Sequence, residues 1–300
     1  MQELEVDDGS DAQLLARARD LAQQDFADRL RPMRDPSPKV DMSLTTVRKP
    51  TGSLQAYTYT PDSDTHPDIA IVIVHQCTAM GGSAVAVHDI ANACARAGFF
   101  VVAFDMRGAG GSSGLSSLGP WPCLSGCAEI GDVSFMANWV RDEMGRDSWL
   151  VGVSAGAPIA GSAVEASEHI RGYIGIAPVL GLLTLIIFGQ HHPRLLLSRK
   201  PKLWIIGSQD CLTSIAMFRL FYACARYPKA FHIERGAGHF DLEFGSKNGN
   251  LHARLISRFI SEGTSTNDTV CATFIPSFFT GGPCCIALVF LIFMLFAGVF

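Results

Sequence analysis

Ser148-Trp-Leu-Val-Gly-Val-Ser-Ala-Gly-Ala-Pro-Ile-Ala-Gly161 is the stretch on which the fold turns. An apolar run ends at Val153, and a helix of small residues opens at once behind Gly152-Val153-Ser154-Ala155-Gly156. A serine on so sharp a strand-to-helix turn is held in a strained backbone conformation, with its Oγ exposed above the sheet edge. The positions two residues to either side must be tiny, because there the strand and helix backbones nearly touch. Pro158 suits the first helical turn, where its missing N–H costs nothing. The helix N-terminus beneath Ser154 favours negative charge developing beside it.

Outward from this turn, buried strands alternate with helices. Ile69–His75, Phe99–Asp105, Trp149–Val153, Tyr173–Ala177, Lys202–Ile206 and Ala230–Glu234 read as strands. Helices are expected over Ala84–Ala97, Ile130–Met144, from Ser154 to about Glu168, Ser214–Tyr227 and Leu251–Ser261. Met42–Val47 and Leu54–Thr60 read as an opening hairpin around Pro50-Thr51-Gly52. Near-continuous apolar strands between helices mean that both sheet faces are covered, which is the pattern of a mostly parallel α/β sheet. The expected domain is residues 39–262, with an amphipathic helix and linker before it (1–38) and a linker and apolar tail after it (263–300).

The pattern Gly-x-Ser-x-Gly occurs twice. The second copy, Gly110-Gly111-Ser112-Ser113-Gly114, runs into Leu-Ser-Ser-Leu-Gly-Pro-Trp-Pro, which cannot form the required helix, so Ser112 is read as a loop residue. A nucleophilic serine needs a base, and the base needs a group to orient it. Asp210, in Gly207-Ser208-Gln209-Asp210, lies just past a strand and can reach the sheet edge that carries Ser154. His239 follows the last strand in Gly236-Ala237-Gly238-His239-Phe240, completing the chain order Ser, Asp, His expected of this architecture. Asp241 and Glu243 lie too near His239 along the chain to be favoured as the orienting acid. The oxyanion hole calls for two N–H donors. One is that of Ala155; the other is assigned to Gln76, with Cys77 as the alternative. His75 is read as structural, and Asp105 and Arg107 as loop-fixing residues.

These residues resemble serine hydrolases of the α/β-hydrolase superfamily over roughly residues 40–262, in particular small plant- and algal-type members with a minimal cap. The shared segments are Phe104-Asp105-Met106-Arg107-Gly108-Ala109-Gly110, Gly152–Ala160, Phe188-Gly189-Gln190-His191-His192 and Gly236–Phe240. The resemblance implies a catalytic triad of Ser154, Asp210 and His239, acting on an ester or thioester through an acyl-enzyme. The segment Leu182-Leu-Thr-Leu-Ile-Ile-Phe188 is apolar, so an acyl or alkyl ester is expected in preference to a charged substrate. Cys77, Leu182, Phe188 and His191 are the pocket candidates. Two other readings stay open: a ligand-binding or signalling protein of this fold with weak turnover, and an acyltransferase or peptidase using the same triad.

The 300 residues are 17% charged and 48% hydrophobic, with net charge −4. That balance excludes a disordered chain, and it leaves no basic footprint for nucleic acid. The nine cysteines form no Cys-x-x-Cys pair, so no zinc site, no other metal and no cofactor is expected, and the thiols read as reduced and mostly buried. The acidic start Met1-Gln-Glu-Leu-Glu-Val-Asp-Asp has no apolar core, so secretion is not expected. Residues 270–300 carry no charge, and 284–300 approach the ~20 apolar residues that span a bilayer. A membrane anchor on the cytoplasmic face fits this tail best; a lipid-attachment signal and a run introduced by a faulty gene model are the alternatives. The oligomeric state is not legible.

Overall fold

The computed structural model describes residues 40–76, 82–116, 126–180, 192–243 and 246–262. Its opening hairpin pairs β1 (Val40–Lys49) with β2 (Gly52–Pro61), so that Lys49 faces Gly52 across a tight Pro50-Thr51 turn. Gly52 has φ +136°, a backbone state that side chains rarely adopt. The strands β3 (Ile69–Val74), β4 (Phe100–Phe104), β5 (Asp147–Val153), β6 (Ile170–Ile176), β7 (Lys202–Gly207) and β8 (Lys229–Glu234) follow. Together they make one eight-stranded sheet in the order β1-β2-β4-β3-β5-β6-β7-β8. Only β1–β2 and β2–β4 pair antiparallel; every other neighbour is parallel.

Alternation along the central strands divides the core in two. Ala70, Val72, Val74 and Leu150 point to one face, under α2 (Cys127–Met144), α3 (Gly156–Ala163) and α5 (Ile215–Cys224). The short α4 (His192–Leu197) adds Leu195 to the same layer. Ile71, Ile73 and Val151 point to the other face, under α1 (His88–Arg96) and α7 (Ser246–Glu262). Every residue of β4 and β5 is buried, as strands covered on both sides must be.

Three helices differ most from expectation. The one behind Ser154 ends at Ala163 instead of about Glu168, because β6 already begins at Ile170 and the chain turns through Ala166 and Ile170 N–H bonds to Ala163 and Ser167. Ala84–Val87 is a 3₁₀ turn ahead of α1. Conversely, α7 starts at Ser246, five residues before the expected Leu251. It runs through Gly249, where a Cβ would stand 2.7 Å from the Asp89 carbonyl oxygen, so glycine is what lets α7 lie against α1.

The cysteine expectation is corrected in part. Of the described free cysteines Cys94 is buried, but Cys127 and Cys211 are exposed, at the first residue of α2 and in the loop after β7. Among the described residues no helix is long and apolar enough to cross a membrane, and no group of three metal-ligating side chains converges. The N-terminal helix, the apolar tail, and Cys77, Leu182, Phe188 and His191 lie outside the described residues.

Candidate active site

β5 delivers Ser154 to the sheet edge with φ +54°, a left-handed conformation disfavoured for any residue with a Cβ. It is held there because Ser154 N–H donates to Ile176 C=O at 2.9 Å while its own carbonyl accepts from Ala157 N–H at 3.0 Å. The tight turn that the sequence demanded is present, and α3 begins two residues later.

His239 opens α6 (His239–Glu243), the short helix after β8, and its side chain is fully buried. Ser154 Oγ lies 2.8 Å from His239 Nε2, within hydrogen-bond distance, and His239 Nδ1–H donates to Asp210 Oδ2 at 2.8 Å. The Asp210 side chain is also fully buried, and its other oxygen accepts from Leu212 N–H (2.9 Å) and Thr213 N–H (2.8 Å). Thr213 in turn donates through Oγ1 to Pro178 C=O and accepts from Leu180 N–H, which fastens the Asp210 loop to the end of β6. Three side chains spread over 86 positions of sequence thus form one continuous relay: hydroxyl, imidazole, carboxylate. In such a line the imidazole can take the serine proton while the carboxylate fixes its tautomer.

Gln76 and Ala155 are both buried beside Ser154's strand, Gln76 past the end of β3 and Ala155 at the start of α3. His75 has the structural part expected of it. Its Nδ1–H donates to Gln76 C=O at 2.7 Å, and its Nε2 accepts from Met106 N–H at 3.0 Å, which orients the loop bearing Gln76. Asp105 accepts from Ala84 N–H (2.8 Å), and Arg107 makes a two-pronged bond to Asp132 (2.7 and 2.8 Å). The second Gly-x-Ser-x-Gly is a brace: Ser112 Oγ accepts from Gln55 N–H and donates to Asp105 C=O, pinning its loop to β2.

Glu243 escaped sequence reading. As an orienting acid it lies too close to His239 along the chain, and spacing alone suggests no other part for it. In α6 it stands one turn beyond His239 and reaches the opposite nitrogen, with Oε1 3.0 Å from Nε2. The spacing i, i+4 is the available signal, and it becomes readable only once a helix is known to start at His239. Burial alone would lower the His239 pKa, but the hydrogen bond to Asp210 and the nearby Glu243 carboxylate outweigh it and push it up to about 9.

A family model described as the alpha/beta hydrolase fold matches residues 69–191. The chain has the α/β-hydrolase fold. An alpha-beta serine hydrolase homologue from Coxiella burnetii superposes with TM-score 0.60 at 23% identity, covering 73% of this chain and 97% of that one. A serine hydrolase without lid from Xanthomonas campestris gives 0.57 at 23%, covering 74% and 98%. An esterase from Pyrococcus furiosus gives 0.57 at 16%, covering 74% and 93%. No curated protein matches the sequence.

Two further histidines of this α/β-hydrolase fold bear on stability. Desolvation pulls buried His75 down to about 4; desolvation, with His232 nearby, pulls buried His252 down to about 3. Both folded values lie below the usual 6.5, so the native state refuses protons that the unfolded chain accepts. Their contribution is intact above pH 6.5 and is lost as pH falls, at about 1.4 kcal/mol per unit for each histidine. His239 has the opposite sign: its contribution is present below 6.5 and lost as pH rises through about 9. Urea unfolding at stepped pH is therefore expected to show His252→Leu flattening the acid slope relative to wild type. The variant should also be more stable at pH 7, because neither ring nitrogen of His252 has a hydrogen-bond partner among the described residues.

Proposed function

We propose that the chain is a serine hydrolase that cleaves an ester or thioester of a small or lipid-like acyl group. The observation that carries the reading is the 2.8 Å contact of Ser154 Oγ with His239 Nε2, backed by the 2.8 Å contact of His239 Nδ1 with Asp210, at a serine with φ +54°. Ser154 is the nucleophile, His239 the base and then the acid, and Asp210 the orienting carboxylate. The backbone N–H groups of Ala155 and Gln76 would receive the oxyanion, assisted by the α3 N-terminus.

In the first half-reaction Oγ attacks the acyl carbon as its proton passes to Nε2; that proton then leaves with the alcohol or thiol as the C–O or C–S bond breaks. Water repeats the sequence on the acyl-enzyme and regenerates Ser154. The exposed side chains of Leu212 and Phe240, close in sequence to Asp210 and His239, favour an apolar acyl chain. The domain is taken as residues 39–262, and the tail beyond it as the segment through which membrane attachment would occur.

A fluorophosphonate probe is expected to label the wild type and to fail on Ser154→Ala, with His239→Ala nearly as unreactive. Ser112→Ala should label like wild type and show only a lowered melting temperature. Label recovered on the Ser112 peptide would overturn the assignment. An ester panel of rising chain length then ranks the substrates, and an added alcohol or amine acceptor separates hydrolysis from acyl transfer.

A further inference from the structure

Glu243 has no part in the relay just described, yet its carboxylate lies against the nitrogen that faces Ser154. Its side chain is 4% exposed, and its Oε1 is 3.0 Å from His239 Nε2, the nitrogen that Ser154 Oγ contacts at 2.8 Å. Oε1 is out of line for a hydrogen bond to that nitrogen and has no other hydrogen-bond partner among the described residues. A bare carboxylate oxygen and an imidazole lone pair repel at this distance in a buried site; a proton on Nε2 makes the ring a cation and turns repulsion into an ion pair.

We propose that Glu243 is a positioning residue that holds a proton on Nε2 of His239, so that the resting site is an inactive ion pair and the working base appears when that proton leaves. The inference deepens the serine-hydrolase reading and rests on Ser154 and His239 being nucleophile and base. In the resting pair the imidazolium donates from both nitrogens, toward Asp210 and toward Ser154, with the Glu243 carboxylate beside it as counter-charge. Loss of one proton to solvent frees the Nε2 lone pair for the Ser154 hydroxyl. As Oγ bonds to the acyl carbon its proton passes to Nε2, and Glu243 again faces an imidazolium until the proton departs with the leaving group. Glu243 therefore strengthens the base while thinning its active fraction at neutral pH, and the fold carries a built-in preference for alkaline conditions.

Among the described residues the other ionisable groups around His239 are few. From the β7 side come Asp210, already paired through Nδ1, and Lys202, at the far end of the strand. On α6 itself Asp241 is engaged by Gly238 N–H at 2.7 Å. On α7 the buried titratable side chain is His252, kept neutral by desolvation, while Arg254, Arg258 and Glu262 are exposed. Among the described residues Glu243 is thus the one carboxylate placed to act on the Nε2 side, and the raised pKa of His239 agrees with that position.

The test titrates His239 by histidine ring NMR in the full chain carrying Ser154→Ala, with and without Glu243→Gln or Glu243→Met. The His239 midpoint is expected to fall by about one pH unit or more in both variants. With Ser154 intact, the acidic limb of the fluorophosphonate rate should move down by the same amount, raising the rate at pH 7 about tenfold relative to its own plateau. An unchanged midpoint in both variants overturns the proposal, as does a wild-type midpoint at or below 6.5, which is readable even where a variant fails to fold. If the midpoint moves but wild type is labelled at no pH, the proton-holding role stands and the serine-hydrolase reading fails.

Discussion

Asp210→Asn is expected to lower kcat on a short-chain ester by about 10⁴-fold while leaving the fold in place. Asp210 does two jobs with two oxygens. Oδ1 accepts from Leu212 and Thr213 N–H, and Oδ2 accepts from His239 Nδ1–H. Asparagine can preserve the first job by keeping its carbonyl toward the two backbone donors. Its NH₂ then faces Nδ1 and offers a proton where a proton already sits. The imidazole responds by moving its own proton to Nε2, which leaves no lone pair for the Ser154 hydroxyl. Activity falls through the wrong tautomer, and thermal unfolding stays close to wild type. Asp210→Ala separates the two jobs: it loses the same catalysis and also strands two loop N–H groups, at about 1–3 kcal/mol for each that remains buried. Near-normal turnover by Asp210→Asn would show that another group orients His239.

The parts of this protein that were readable in the sequence are those where a local requirement leaves few residue choices. A strand that runs into a helix without a loop needs glycine at 152 and 156, and the structure has Ser154 at φ +54° between them. The apolar runs at Ile69, Phe99 and Trp149 marked strands because both faces are covered. Ser112 was separable from Ser154 for the same kind of reason, since no helix can follow it.

What escaped depends on facts that spacing alone does not contain. Glu243 matters because α6 begins at His239 itself; had the chain stayed extended there, position 243 would lie far from the imidazole. The helix α7 runs five residues further back than the expected Leu251, through Gly249, whose lack of a side chain admits the Asp89 backbone. The helix after Ser154 was overestimated because helical composition continues through Glu165-Ala166, and the tertiary need to begin β6 at Ile170 overrides it.

Gly156→Ala is expected to destabilise the protein by about 3 kcal/mol or more and to abolish probe labelling in whatever fraction still folds. The added methyl would stand 2.3 Å from the His75 carbonyl oxygen and 2.4 Å from that of Val74. Both obstacles are backbone at the end of β3, a central strand buried from Ala70 onward and hydrogen-bonded on both sides, so neither can step aside as a flexible side chain would. Relief has to come from moving α3 away from β3, and α3 carries Ala155 with it while β3 carries Gln76. The two N–H groups assigned to the oxyanion would therefore separate, which ties the loss of labelling to the loss of stability. Gly152→Ala meets the reciprocal obstacle, with its methyl 2.5 Å from Ala157 Cα and from the Gly156 carbonyl oxygen. Gly131→Ala supplies the contrast. Gly131 is exposed within α2, and a Cβ there meets nothing within 4 Å, so the same chemical change should stabilise by about 0.5–1 kcal/mol through helix propensity. Urea midpoints for the three variants decide the matter: if Gly156→Ala falls no further than an ordinary surface substitution, the close approach of β3 and α3 is not what holds Ser154 in place.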